Sequence, residues 1–256
     1  MPILYIFLKA YDIFNNRANS KRFIDMIMHK KELSSIDKKS TLADIILGGQ
    51  DGLVNVLGVI LGVAAATTNH KVIIAAGMAA TFAESISMAA VALTSKMAER
   101  DHYFSELERE KREIKELPKA EKNEITKIYK ARGFTGKLLE DIVKHITNDK
   151  KRWLKTMMQE ELQLIEIKNK DIYKGSFVVG FSALVGSFVP ITPFFFLPIH
   201  SAIIYSLIVS VIVLFFVGIY KAKATVGNPF KTGIQMVLIG MGAALAGYYI
   251  GHLFGQ

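Results

Sequence analysis

Two pairs of glutamates raise the first chemical question. Glu110 and Glu113 are three residues apart in "EREKREIKEL", and Glu121 and Glu124 repeat the spacing in "KAEKNEI". On a helix an i,i+3 pair shares one face, so two E-x-x-E pairs on either side of Pro118 can face each other across a helical hairpin. Farther on, Met157, Met158 and Glu161 fall within little more than one helical turn. Clustered carboxylates offer hard oxygen ligands to divalent cations, while thioether sulfur is softer and biases a mixed set toward transition metals over Mg²⁺ or Ca²⁺. The plainer alternative is a solvated charged face, because Glu99, Glu106, Glu108, Glu116, Glu160 and many lysines share this segment and charge pairs at this spacing are common on exposed helices. Met157 and Met158 by themselves read as core packing.

A second set of polar residues lies where water is scarce. The stretch "LADIILGGQDGLVNVLGVILGVAAATT" places Asp51 and Asn55 four apart on one helical face, with Gly48, Gly52, Gly58 and Gly62 in two G-x-x-x-G steps that permit close backbone approach. In "TFAESISMAA" Glu84 and Met88 are likewise four apart, with Ser87 beside them. An ionised side chain at the centre of a bilayer costs about 2.5 to 3.5 kcal/mol even on the lenient insertion scale, so such groups line polar pathways or pair with one another. Lys and Arg are absent from the interiors of the apolar runs and occur only toward their ends, as Lys71 and Lys174, which leaves a cation or a proton as the companion of each acid. Two simpler alternatives stand beside this one: Asp51 near the membrane boundary and reaching water, and Glu84 protonated and hydrogen-bonded to a neighbouring helix.

The elements that carry these residues follow from composition. Hydrophobic residues make up 51% of the 256-residue chain and the mean hydropathy is +0.29, more apolar than a soluble protein of this length needs. Residues 43–67, 71–94, 172–197, 199–220 and 232–254 are runs near or above the roughly 20 residues that cross a hydrocarbon core about 30 Å thick. The formal net charge of +9 lies almost wholly between those runs, so it is not one basic face for nucleic acid. Lys and Arg crowd the region before the first run, the 96–171 connection and the 221–231 turn, whereas the other connections and the tail hold only Lys71. By the positive-inside rule the N-terminus, the 96–171 segment and that turn face the cytoplasm and the C-terminus faces the other side, in agreement with an odd number of spans. There is no cysteine, hence no disulfide framework or thiolate metal site. The opening "MPILYIFLKAYDIF" is followed by "NNRANSKR" without a small-residue cleavage site, so an amphipathic membrane-surface helix over about 3–30 is expected in place of a cleaved signal peptide.

The expected fold is all-α, a five-span protein with a cytoplasmic helical metal-binding domain inserted between spans two and three. Its divisions are an N-terminal amphipathic cytoplasmic extension (1–41), spans one and two (42–95), the inserted domain (96–171) and spans three to five (172–256). Within the insert, "KMAERDHYFSELEREKREIKEL" continues span two as one helix until Pro118. Ile125, Ile128 and Tyr129 mark a second, amphipathic helix stopped at Gly133, and Leu138, Leu139, Ile142 and Val143 mark a third. A fourth, capped by Thr147 or Asn148, is expected to carry "RWLKTMMQEELQLIEI" back toward span three.

Read together and in order, "GGQDGLVNVLGVILGVAAA", "AESISMAAVALTSK", "EREKREIKELPKAEKNEI", "MMQEEL" and "GSFVPITPFF" resemble the vacuolar iron transporter family over about residues 41–254. The resemblance implies a homodimer of five-span subunits with the ion path at the dimer interface, exchanging Fe²⁺, and often Mn²⁺ or other divalent metals, for protons and moving metal out of the cytoplasm. It implies no prosthetic group and no catalytic residue, only metal ions and protons as substrates. The membrane would be a cell membrane in a prokaryote and a vacuolar one in a eukaryote. Asp51 in "QDG" and Met88 in "SMA" would handle the ion in the pore; Glu110, Glu113, Glu121, Glu124, Met157, Met158 and Glu161 would form the cytoplasmic metal site. The family pattern has a further carboxylate three residues after Glu161, where this chain has Leu164; Glu160 or Glu166 would substitute, or the site would hold fewer ions. Glu84 as a proton-coupling group, with Asn55 beside Asp51, comes from the residues alone. A membrane-anchored metal sensor or storage module is the alternative, although an anchor has no reason to carry Asp51, Glu84 and Met88. A di-iron redox enzyme lacks its usual E-x-x-H element here, with His102 and His145 off the pattern.

Overall fold

The computed structural model describes residues 17–224 and 227–255, with side chains from Thr41 onward apart from that of Ala224. Among these residues the chain is all-helical. In order run α1 (Arg17–Ala66), α2 (His70–Glu116), α3 (Pro118–Ala131), α4 (Gly136–Thr147), α5 (Lys150–Thr156), a π-helical turn (Met157–Glu161), α6 (Asn169–Phe196), α7 (Ile199–Ala224) and α8 (Pro229–Phe254). Five helices contain stretches long and apolar enough to cross a membrane: α1 from Thr41, α2, α6, α7 and α8. The surface helix expected over 3–30 lies outside the described residues up to 16 and outside the described side chains beyond. No break separates an extension from the first span, since α1 is continuous from Arg17.

Two compact units make up the chain, one of residues up to Ala89 together with Val178 onward, the other Ala90–Phe177. Both share α2, which runs unbroken as its sequence predicts.

In the first unit α1 packs on α6 and α8 through its glycines. A Cβ on Gly52 would lie 2.2 Å from the Ala183 carbonyl oxygen of α6, and one on Gly251 of α8 would lie 1.8 Å from the Gly62 carbonyl oxygen. Only hydrogen in place of a side chain lets these backbones meet. The glycine steps of span one, which in the sequence predict close backbone approach, are thus occupied inside the chain. Leu57, Ile60 and Leu61 of α1 fill the core beside Ile73, Ile191, Phe194, Ala202 and Ala244. The Phe194 carbonyl has no helical donor four residues on, because that residue is Pro198; His70 Nε2 lies 2.5 Å from it instead, joining the start of α2 to the end of α6. Gly251→Ala is expected to lower the melting temperature of the solubilised protein by several degrees, since forcing a methyl into a packed interface costs about 1–3 kcal/mol. Gly242→Ala, whose added carbon meets nothing within 4 Å, serves as the comparison; equal melting of the two variants would contradict this packing.

The second unit closes on Ile114, Ile125, Val143, Ile146, Trp153 and Met157. Leu117, held out of the helical region at φ −124° and ψ 45° ahead of Pro118, turns α3 away from α2 as expected for a residue preceding proline. At α5 the cap is Asp149, not Thr147 or Asn148: its carboxylate accepts from the amides of Lys151 and Arg152 at 2.8 and 3.0 Å, and these donors hold it below the usual carboxylate range. Asn148 is used up as the C-cap of α4. The expected continuous helix from Asp149 to span three does not form. Leu162 N–H reaches back five residues to the Met157 oxygen (3.1 Å) and Leu164 N–H six residues to that of Met158 (2.8 Å), while Gln163 takes φ +55°. Helical winding stops there, and α6 starts afresh at Asn169.

Candidate metal centre

The apolar anchors of the second unit decide which glutamates turn inward. Ile114 and Ile125 are buried in its core, so the residues one helical turn earlier, Glu110 and Glu121, are drawn to the same faces. Both are buried, at 2% and 4% exposure, with Glu113 and Glu124 half-buried at the flank. The turn at Leu117–Pro118 folds the two helices so that one oxygen from each of Glu110, Glu113 and Glu121 lies within 4.8 Å of the others. In each of the two buried residues Oε2 has no hydrogen-bond partner. Buried carboxylate oxygens ordinarily find donors, and three converging carboxylates offer oxygen ligands for a divalent cation.

The electrostatics of the cluster agree. Burial, then the negative charges of Glu124, Glu110, Glu113 and Glu161, push Glu121 up to about 7. Glu161 is exposed as a residue, yet desolvation of its carboxyl followed by the charges of Glu124 and Glu110 raises it to about 7 as well. Glu110 is also raised, by burial first. Glu124 and Glu161 therefore share the field of the three converging acids. Against them stands Arg109: Nη2 lies 2.8 Å from Glu106 and 3.4 Å from Glu110, and Nε lies 3.6 Å from Glu113. Its i,i+3 and i,i+4 spacing to Glu106 and Glu113 was available in the sequence as a signal.

The remaining candidates divide. Met158 is buried within the π-turn that carries Glu161. Met157 is fully buried among Ile114, Ile125 and Trp153, in the core-packing role that methionines usually take. Glu160 pairs with Arg132, a residue that no sequence pattern singled out. Glu166 lines a separate cleft of about 450 Å³ with Arg100, Phe104 and Asn169, and Leu164 is half-buried.

In the first unit the structure brings together the polar groups of spans one and two. Asn55 Nδ2 donates to Asp51 Oδ2 at 3.3 Å, and the Glu84 carboxyl interacts with both side chains. Two independent contacts hold the helices that present them: Gly52, next to Asp51, sits against the α6 backbone, and Ser85, next to Glu84, donates to the Gly180 oxygen of α6 at 2.8 Å. Adjacent carboxylates repel, and a proton or a cation between them removes the repulsion. Met88 is half-buried one turn beyond Glu84.

Five membrane-length helices and paired acids inside two of them define a helical multi-pass membrane protein. The chain belongs to the VIT family, whose family model matches residues 42–252. It is 30% identical over 223 residues to vacuolar iron transporter 1 of Tulipa gesneriana, covering 87% of this chain and 90% of the relative. It is also 28% identical to vacuolar iron transporter 1 of Arabidopsis thaliana, over 80% of this chain and 82% of the relative. A vacuolar iron transporter of Plasmodium falciparum is 31% identical over 83% of this chain and 82% of its own length.

Proposed function

We propose that this protein moves Fe²⁺, with Mn²⁺ and other divalent transition metals as further substrates, out of the cytoplasm in exchange for protons, as a homodimer with the ion path at the subunit interface. The observation that carries the reading is the meeting of Asp51, Asn55 and Glu84 between two membrane-length helices. Such a pair of acids is costly unless an ion visits it. The names of the relatives support iron as the cargo, and the distribution of Lys and Arg supports a cytoplasmic N-terminus and second unit.

The division of labour follows from the chemistry of each group. The glutamates of the second unit gather the metal, with Glu110, Glu113 and Glu121 as the converging oxygen ligands, Glu124 and Glu161 completing the carboxylate set, and Met158 offering a soft donor. Asp51 and Met88 then pass the ion through the membrane, and Asn55 and Glu84 hold and share the Asp51 charge. A carboxylate binds metal only when deprotonated, so metal and proton compete for the same oxygens and exchange follows without a separate device. Glu84 gives the returning proton a place beside the ion.

Purified protein in liposomes with an imposed pH gradient tests this. Uptake of Fe²⁺ and Mn²⁺ coupled to proton movement in the opposite direction is expected. Metal binding with no flux above protein-free vesicles would replace transport by the sensor or storage role.

A further inference from the structure

Within the second unit the π-turn needs an explanation, because nothing in π-winding sustains itself. Such turns have poor intrinsic stability and persist where the surroundings hold them. Here the turn carries the buried Met158 and also Glu161, whose carboxyl lies in the field of the glutamate cluster, while the chain on its far side, 162–168, has no regular structure. Successive residues on a helical turn leave it in different directions, and Glu160 and Glu161 part in this way. Glu161 feels the charges of Glu124, Glu110 and Glu113. Glu160 goes the other way, to the Arg132 guanidinium.

Arg132 is itself anchored. It caps α3, its backbone N–H donating to the Tyr129 oxygen at 3.2 Å, and its guanidinium lies 5.4 Å from the centre of the Tyr129 ring. Tyr129 packs against the core formed by Ile114 and Ile125. One ligand-bearing arm, α3 with Glu121 and Glu124, is thereby tied to the other, the π-turn with Met158 and Glu161.

We propose that Arg132 is a positioning residue for the metal centre: its ion pair with Glu160 sets the rotation of the π-turn, aims Glu161 at the cluster, and takes Glu160 out of the ligand set. The inference rests on the reading of Glu110, Glu113 and Glu121 as a metal site, and goes beyond it by giving Glu160 a structural partner in place of a metal.

Trp153, the chain's one tryptophan, lies in the same core as Met157, so quenching of its emission by paramagnetic Fe²⁺ reports binding in this unit of the full-length, detergent-solubilised protein under anaerobic conditions. Arg132→Glu is expected to weaken Fe²⁺ binding about 10-fold, the size seen when a group that orients a metal ligand is lost. The charge swap Arg132→Glu with Glu160→Arg is expected to return affinity to within about threefold of the wild type, because an ion pair works in either polarity. Arg132→Gln, which adds no new charge, should weaken binding in the same direction and guards against a folding defect in the reversal. A swap variant no tighter than Arg132→Glu alone, or an Arg132→Glu variant equal to the wild type, overturns the proposal. Absence of quenching in the wild-type protein would instead overturn the metal centre itself, and the positioning role with it.

Discussion

Asp51→Ala is expected to reduce pH-driven Fe²⁺ uptake into proteoliposomes by about 100-fold or more, to the level of protein-free vesicles. Asp51 is half-buried beside Glu84, and under the proposed function its carboxylate is the group that holds the passing ion; a 100-fold loss corresponds to about 2.7 kcal/mol of barrier. Asp51→Asn separates charge from shape: it keeps a hydrogen-bonding side chain next to Asn55 but cannot bind a cation as a carboxylate does, and it should be nearly as inactive. Glu84→Gln should behave differently, retaining part of the metal flux while losing its dependence on the pH gradient, since Glu84 is assigned the proton. Met88→Leu keeps volume and loses only the sulfur, so its effect should be smaller and should fall on metal preference. Full flux through Asp51→Ala would remove Asp51 from the path.

The second large effect is a pH dependence of metal binding in the second unit. Glu121 and Glu161 are both pushed up to about 7. Each passes from about one-tenth ionised at pH 6 to about nine-tenths at pH 8, a factor of about 10 per group, so a site that needs both carboxylates binds about 100-fold more tightly at pH 8 than at pH 6. Fe²⁺ titrations followed by Trp153 quenching across this range would read the effect. A flat profile would mean that these glutamates are not ligands. The same shifts set the sign for the metal-free protein. Both groups are raised above the ordinary 4.5, so their contribution to stability is fully present below about 4.5 and is lost as pH rises through about 7. Metal-free protein should therefore melt lower at pH 8 than at pH 5 on account of these groups, and added metal should recover most of the difference at pH 8 and little at pH 5.

The proposed function rests on acids kept close together, once in the second unit and once between helices long enough to cross a membrane. In the second unit Glu110, Glu121 and Glu161 are raised by burial first and then by the like charges around them. A bound divalent cation reverses both penalties. Under the proposed function, competition between proton and metal for one oxygen lets each site take up an ion and release it again.

Much of this was legible in the chain before any fold was considered. Five apolar runs, the charge bias between them, the break at Pro118 and the Glu110/Glu113 and Glu121/Glu124 spacings are local features, because helix periodicity and bilayer thickness act on neighbouring residues. Long-range contact decided the rest. Spacing alone could not choose between a solvated face and a cluster; that depended on Ile114 and Ile125 burying the faces that hold Glu110 and Glu121. The span-one glycines announce close approach but not the partner, which proved to be α6 and α8 of the same chain. Asp51 and Glu84, more than thirty residues apart, meet only because their helices pack side by side. Glu160 and Glu161 are chemically identical neighbours in the sequence, and the winding of the π-turn together with Arg132, twenty-eight residues earlier, sends one to an ion pair and the other to the carboxylate cluster.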